Sequence, residues 1–351
     1  MRVTNSMLSQ NVMWNINKNL QYMNDLNIQM ATGKKIQKPS DDPVCAAKSM
    51  QYSTHVSQIE QYQKNADDAL GWMEVTEEAL DGMGDVIIRT RELVGQAANE
   101  GGLSESDYEK IAVEIEQLEK ELIDIGNYSY AGRYIFGGYN TDDPPFEVVE
   151  TSVGEKLMYN GKYMCLGGPV PGSVPDDEYL QFYNDNSGQM LSDTEKNQDI
   201  MYDTGLSKQV DINVEGYEVF GDDVNGIFET FQKIEMALEG ETEYKVINDS
   251  VTPPVVETYP LDMSQLLDDL DENLDQVLSA RADLGAKMRS VELTQQRLSK
   301  EYVTYTGLMS KNEDVDMAEV AMELASAQSV YEASLAAGSK IILPSLADYI
   351  K

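Results

Sequence analysis

The chain has 351 residues, 62 of them acidic and 26 basic, for a formal net charge of −36. A surface this acidic repels phosphate backbones and anionic lipid, which excludes nucleic acid and membrane surfaces as expected partners. No stretch approaches the ~18 consecutive apolar residues of a membrane span, and this length favours two or three domains over one.

At the N-terminus Arg2 is the lone early charge and no apolar run follows, so a cleaved secretory signal is not expected. Leu8, Val12, Ile16, Leu20, Met23, Leu26 and Met30 instead form a narrow apolar stripe at helical spacing, separated mostly by Asn, Gln and Ser. Such a helix has nothing to fold against within its own segment and suits a subunit that polymerises. Gly33 can take the left-handed conformation that ends a helix. A basic linker follows, with Lys38-Pro39-Ser40-Asp41-Asp42-Pro43 at its end, where two prolines in five residues forbid a continuous helix. Arg2 to Ser40 holds five Lys or Arg against the single acid Asp25, whereas residues 131–260 hold 25 acidic and 7 basic side chains.

Beyond the linker, Tyr52, Ile59, Ala66, Met73, Leu80, Ile87 and Val94 recur every seven residues, with a second series at Tyr62, Ala69, Thr76, Met83, Thr90 and Ala97. Sustained heptads predict one long coiled-coil-like helix from about 44 to 99, roughly 84 Å long at ~1.5 Å per residue. Gly101-Gly102 breaks it, and Ser104 with Asp107 caps a second helix carrying Tyr108, Ile111, Ile115, Leu118, Leu122 and Ile125. Residues 131–260 change character. Lys156–Gly161 and Glu178–Tyr183 read as strands, Val210–Phe220 as a hairpin turning at Glu215-Gly216, and Gly226–Leu238 as a helix. Apolar residues from Met263 through Leu270, Val277, Leu284, Val291 and Leu298 to Met309 then predict a returning helix of ~75 Å. A second terminal stripe follows at Met317, Val320, Leu324, Ala327, Tyr331, Leu335 and Ile341.

The fold class expected is mainly α with an inserted β-rich domain: a long nested helical bundle with amphipathic N- and C-terminal helices and a central β-rich head. The division is 1–43 and 313–351 for the terminal polymerisation helices with the linker, 44–130 and 261–312 for the rod-like bundle, and 131–260 for the acidic head. Terminal helices enclose the bundle and the bundle encloses the head, which sets polymerising surface and solvated head at opposite ends.

Catalytic chemistry is not expected. The single histidine, His55, falls at a core-side heptad position, and a metal ligand or base would need partners. Nucleophile-elbow, zinc-protease and phosphate-loop motifs are lacking. Asp41-Asp42 reads as a helix cap. Asn312–Asp316 resembles half of a calcium loop without its glycine and closing glutamate, so a helix break with a new cap explains it better. Cys45 and Cys165 read as small buried thiols, not a disulfide, and no cofactor is implied.

Met1-Arg2-Val3-Thr4-Asn5-Ser6-Met7, the run from Ala31 to Pro43, Gly132-Arg133-Tyr134-Ile135-Phe136-Gly137-Gly138, Ala327–Ala333 and Leu346-Ala347-Asp348-Tyr349 together resemble the flagellin superfamily and, within it, the hook–filament junction proteins. The resemblance covers roughly 1–139 and 260–351 and omits the acidic Gly/Pro stretch 164–205. It implies a non-enzymatic extracellular subunit of the bacterial flagellum, exported unfolded through the flagellar type III apparatus without a cleaved signal peptide. It further implies self-assembly into a ring between the first hook-associated protein and the flagellin filament, with an export chaperone on the closing helix. Filament flagellin, or a flagellin-like minor filament subunit, is the alternative; the Lys38–Pro43 linker argues against it. The assembly interface expected is Leu8, Val12, Ile16, Leu20, Met23, Leu26 and Met30 on one helix with Val320, Leu324, Tyr331, Leu335 and Ile341 on the other.

Overall fold

The computed structural model describes residues 5–99, 104–192, 196–205, 208–248 and 253–341. The Gly101-Gly102 break and the 346–349 tail motif lie outside them. The described chain is mainly helical, with a β-rich insertion. It divides into two compact units, one of residues 1–61 with 298–351 and one of residues 62–297.

In the first unit, α1 (Asn5–Thr32) ends where Gly33 takes a φ of +70°, the left-handed geometry open to glycine without a Cβ penalty. The α2 helix (Pro43–Asn99) starts under a side-chain cap: the Asp42 Oδ1 accepts the Val44 and Cys45 N–H groups at 3.0 Å each. That supplies two of the donors a helix start leaves orphaned.

In the second unit the heptads act as the periodicity requires. Ala66, Met73, Leu80, Ile87 and Val94 of α2 are buried, as are Ala69, Thr76, Met83, Thr90 and Ala97. They share one core with Ile111, Ile115 and Leu122 of α3 (Glu105–Gly126), whose start carries the Ser104–Asp107 capping box. In the first unit, His55 departs from expectation. It is exposed, with its ring 5.3 Å from that of Tyr305, because burial falls one residue later on Val56.

The insertion begins with the short pair β1 (Ser129–Tyr130) and β2 (Arg133–Tyr134), followed by the antiparallel meander β3 (Phe146–Thr151), β4 (Gly154–Tyr159) and β5 (Lys162–Tyr163). After β6 (Val170–Pro171) comes α4 (Asp176–Asn186), where a strand was expected. Three acids in its first turn favour the positive helix end, and Tyr179 and Tyr183 bury one face at a four-residue spacing. The expected hairpin at Glu215-Gly216 is also absent. The β7 (Met201–Gly205) and β8 (Lys208–Asp211) strands pair with each other, and Gly216–Phe220 forms α5. Beyond the end of that pair one backbone bond, from the Ile212 N–H to the Ile200 carbonyl at 3.1 Å, is joined by side-chain bonds: the Asn213 Oδ1 accepts the Ile200 N–H at 2.7 Å and its Nδ2 donates to the Gln198 carbonyl at 2.9 Å. Gly216 donates to the Phe136 carbonyl at 3.0 Å in a space closed by Phe146 and Tyr159 that a Cβ would fill.

The buried helix α6 (Ile227–Leu238) packs against α3 and is followed by β9 (Glu243–Asn248) and β10 (Val255–Pro260), which form an antiparallel sheet in the order β10-β9-β6. The returning helix α7 (Met263–Glu313) buries Leu270, Val277, Leu284 and Val291 at strict seven-residue intervals. Arg281 of α7 bonds both Glu77 and Asp81 of α2, tying the two heptad helices together at their polar edge. The last helix, α8 (Met317–Ile341), is capped by Asp316, whose Oδ1 accepts the Ala318 N–H at 2.9 Å. Among the described residues no helix is long and apolar enough to cross a membrane.

Candidate assembly interface

The two terminal stripes, which the sequence presents as unpartnered, find each other. Leu26 of α1 is buried with Val320, Leu324 and Ala327 of α8, flanked by Met23 and Val315. The helices run antiparallel, since Tyr22 donates to the Glu323 carboxylate at 2.9 Å while Val12 and Ile16 meet Gly338 toward the far end. A Cβ at Gly338 would stand 3.2 Å from the Val12 Cγ1 and 3.7 Å from the Ile16 Cδ1, so the missing side chain sets how closely the helices approach.

A polar clamp closes the base of this helix pair. Lys34 and Asp314 form an isolated antiparallel bridge, in which the Lys35 N–H donates to the Glu313 carbonyl at 2.6 Å and the Val315 N–H to the Gly33 carbonyl at 3.0 Å. The Lys34 Nζ lies 2.8 Å from the Glu313 carboxylate. Lys34 first, and Ser49 next, hold that carboxyl below its ordinary range, whereas burial opposes them. Asn312 completes the clamp, donating to the Cys45 carbonyl and the Ser49 hydroxyl at 3.0 Å each, and its own carbonyl accepts the Cys45 thiol at 3.1 Å. Within the linker, the Asp41 carboxylate accepts the Lys38 N–H at 3.0 Å and so tightens the turn through Pro39 and Ser40, with Pro43 opening α2. The carboxylates of Asp41 and Asp42 are thereby occupied as backbone caps.

Of the expected interface residues, Leu26, Val320 and Leu324 are buried within the chain, and Val12, Ile16, Met23 and Tyr331 are half-buried. Leu20, Met30 and Leu335 remain exposed, and the Leu8 and Ile341 side chains lie outside the described residues. The exposed apolar set is wider than the stripes alone. Met13, Trp14 and Tyr22 of α1, with Met322 and Val330 of α8, are at least 49% exposed, Trp14 reaching 62% and Met322 69%. The Lys18 Nζ lies 5.1 Å from the centre of the Trp14 ring. A large aromatic among Asn and Gln was the available sequence signal for this second face. An apolar surface left open on two paired helices is adhesive chemistry.

Residues 3–141 match the bacterial flagellin N-terminal helical region and residues 267–345 the bacterial flagellin C-terminal helical region. The chain is 28% identical over 221 residues to flagellar hook-associated protein 3 of Salmonella typhimurium strain LT2, covering 59% of this chain and 66% of that protein. It is 33% identical over 144 residues to flagellar hook-associated protein 3 of Escherichia coli strain K12, covering 41% of this chain and 45% of that one. These matches span less than two thirds of either relative. A putative flagellar hook-associated protein of Vibrio parahaemolyticus shares the fold, with a TM-score of 0.56 at 16% identity over 78% of this chain and all of that one. With both helical ends matched and the paired terminal helices bracketing the insertion, the chain belongs to the flagellin superfamily.

Proposed function

We propose that this chain is a structural subunit of the bacterial flagellum at the junction between hook and filament, assembling into a ring through α1 and α8. The observation that carries this reading is the pair of terminal helices: packed on each other along Leu26, Val320 and Leu324, they still leave Trp14, Leu20, Met322 and Leu335 open to a neighbouring copy. Segments 1–43 and 313–351 are the polymerising part, 44–130 with 261–312 the bundle, and 131–260 the acidic head. The subunit leaves the cell unfolded through the flagellar export apparatus. Its partners are the first hook-associated protein, flagellin and an export chaperone bound to the closing helix. The two thiols support that route, because a threaded chain should carry no crosslink and both cysteines are free. The capped turn at Lys38–Pro43 supports a junction role over a filament one, since that linker resembles the junction proteins and differs from filament flagellins.

Deletion of the gene tests the proposal. Cells should keep hooks, lose filaments and release flagellin monomers into the medium, because the first filament layer has nothing to grow on. Filaments of normal length on the deletion strain, with no duplicate gene present, would overturn the junction role and favour a minor flagellin.

A further inference from the structure

Around the start of α6 the fold brings together an amine, an amide and a carboxylate. Lys233, on α6, is only 1% exposed, and its Nζ donates to the Asn225 Oδ1 at 2.8 Å and to the Asp269 Oδ2 at 3.3 Å. Asp269 belongs to α7 and is itself buried, and the Tyr244 ring lies 5.3 Å from the ammonium. Taking such an ion pair out of water is costly and is weakly repaid in stability. Asn225 stands just ahead of α6 and is exposed, with its backbone fixed on both sides: its N–H donates to the Asp223 Oδ1 at 3.0 Å and its carbonyl accepts the Thr230 hydroxyl at 3.3 Å. The Thr230 hydroxyl is tied in turn to Asn273 of α7 at 3.1 Å, so the Asn225 amide is held against the buried ammonium.

We infer that Lys233 and Asn225 become joined by a self-formed isopeptide bond, with Asp269 as the base. An Oδ1 within hydrogen-bond reach of Nζ sets the amide carbon only ~1.2 Å further on, and groups held together in this way react as though highly concentrated. Asp269 draws a proton from Nζ, and the neutral amine attacks the Asn225 Cγ. A C–N bond forms between Nζ and Cγ, and the bond from Cγ to Nδ2 breaks. Both protons that Nζ gives up pass to Nδ2, which departs as ammonium at the exposed Asn225. No electron is gained or lost and no co-reactant is consumed. The buried ammonium is exchanged for a neutral amide, which relieves its desolvation. The three groups meet only when α6 is packed on α7, so the bond forms after folding and leaves an unfolded, threaded chain uncrosslinked. The Gly226 nitrogen is the rival nucleophile for the same carbon, giving a succinimide, but its N–H is engaged by the Asp223 carbonyl at 3.2 Å. Packing accounts for that glycine, since a Cβ there would stand 2.8 Å from the Glu229 Oε2 and 2.9 Å from the Phe220 carbonyl oxygen.

Peptide mapping of the folded, full-length protein by mass spectrometry tests this. Trypsin should fail to cut at Lys233, so that residues 209–245 run as one peptide, lighter than its sequence by one ammonia. A glutamate-specific protease, cutting after Glu229, should leave 219–229 joined to 230–235. Lys233→Arg, which keeps the cation but not the nucleophile, and Asp269→Asn, which keeps the shape but not the base, should each return these peptides to full mass and separate them. The wild-type map decides by itself, so a variant that fails to fold leaves the test intact. Cleavage at Lys233 with both peptides at full mass would overturn the assignment. Loss of ammonia from a 209–233 peptide still cut at Lys233 would overturn it too, by marking a succinimide at Asn225-Gly226. A linkage that persists in Asp269→Asn would overturn the role given to that carboxylate.

Discussion

The Lys34 ammonium lies 2.8 Å from the Glu313 carboxylate, joining the second residue beyond α1 to the last residue of α7. The pair staples the entrance and exit of the terminal helices, and two backbone hydrogen bonds, Lys35 to Glu313 and Val315 to Gly33, lie alongside it. Lys34 is more than half exposed, so solvent screens the ion pair and its own contribution is at most about 1 kcal/mol. Lys34→Met should therefore barely move the melting temperature, while amide exchange at Lys35 and Val315 rises severalfold as the clamp loosens. Because Glu313 titrates below its unfolded value, its contribution is fully present above the ordinary glutamate range and is lost as pH falls through the depressed pKa. Exchange at these two amides should accelerate on acidification in the wild type. Exchange indifferent both to Lys34→Met and to acid would show that the clamp is not coupled to this pair.

Substitutions on the stripes separate assembly from folding. Leu20 is exposed, so Leu20→Asp should leave the monomer's melting unchanged and abolish incorporation, where it would place an unpaired carboxylate in the contact between copies. Ile87 is fully buried in the heptad core, and Ile87→Asp should unfold that core at a cost of several kcal/mol. Leu324→Asp should fall between them by loosening α8 from α1. Equal loss of monomer stability from Leu20→Asp and Ile87→Asp would contradict the division.

Gly338 offers a steric test of the helix pair. Gly338→Leu extends a side chain past the point where a Cβ already stands 3.2 Å from Val12, so α8 must shift away from α1. Amide protection over 317–341 and incorporation should both drop, whereas Gly338→Ala, needing a shift of only tenths of an ångström, should retain most of both. Full incorporation of Gly338→Leu would show that this contact is not used.

Glu119 of α3 and Glu235 of α6 are hydrogen-bonded to each other through their carboxyls and predict a pH dependence of the opposite sign to that of Glu313. Burial first, then neighbouring carboxylates, raise Glu119 to about 9 and Glu235 to about 7. The folded chain thus keeps a proton that the unfolded chain releases above about 4.5. Stability from this site falls as pH rises from that value toward 9. Glu119→Gln removes the titration, so its unfolding free energy from urea titration should gain on that of the wild type between pH 5.5 and 8.5, by on the order of 4 kcal/mol. A difference that stays constant with pH would exclude the shared proton.

Heptads are legible in a single chain because Ala66, Met73, Leu80, Ile87 and Val94 report a periodic local constraint, and each is buried. Mutual packing of the terminal stripes was not legible, because Leu26 and Leu324 are nearly 300 residues apart and no local pattern pairs them. The segments at α4 and α5 misled for another reason. Their alternation of aromatic and polar residues fits a strand, but the acidic first turn and the tight space at Gly216 decide for helix. Glu119 could have been noticed, since it stands four residues after Ile115 and three before Leu122 on the apolar face of α3; a glutamate at a core position is a signal in itself.

On the proposed function, this subunit occupies the junction and not the filament. Immunogold labelling of an epitope-tagged copy on intact flagella, inserted in the head and seen by electron microscopy, tests it most directly. A junction subunit gives label in a single narrow band between hook and filament. Label along the whole filament would contradict it and make the chain a filament subunit.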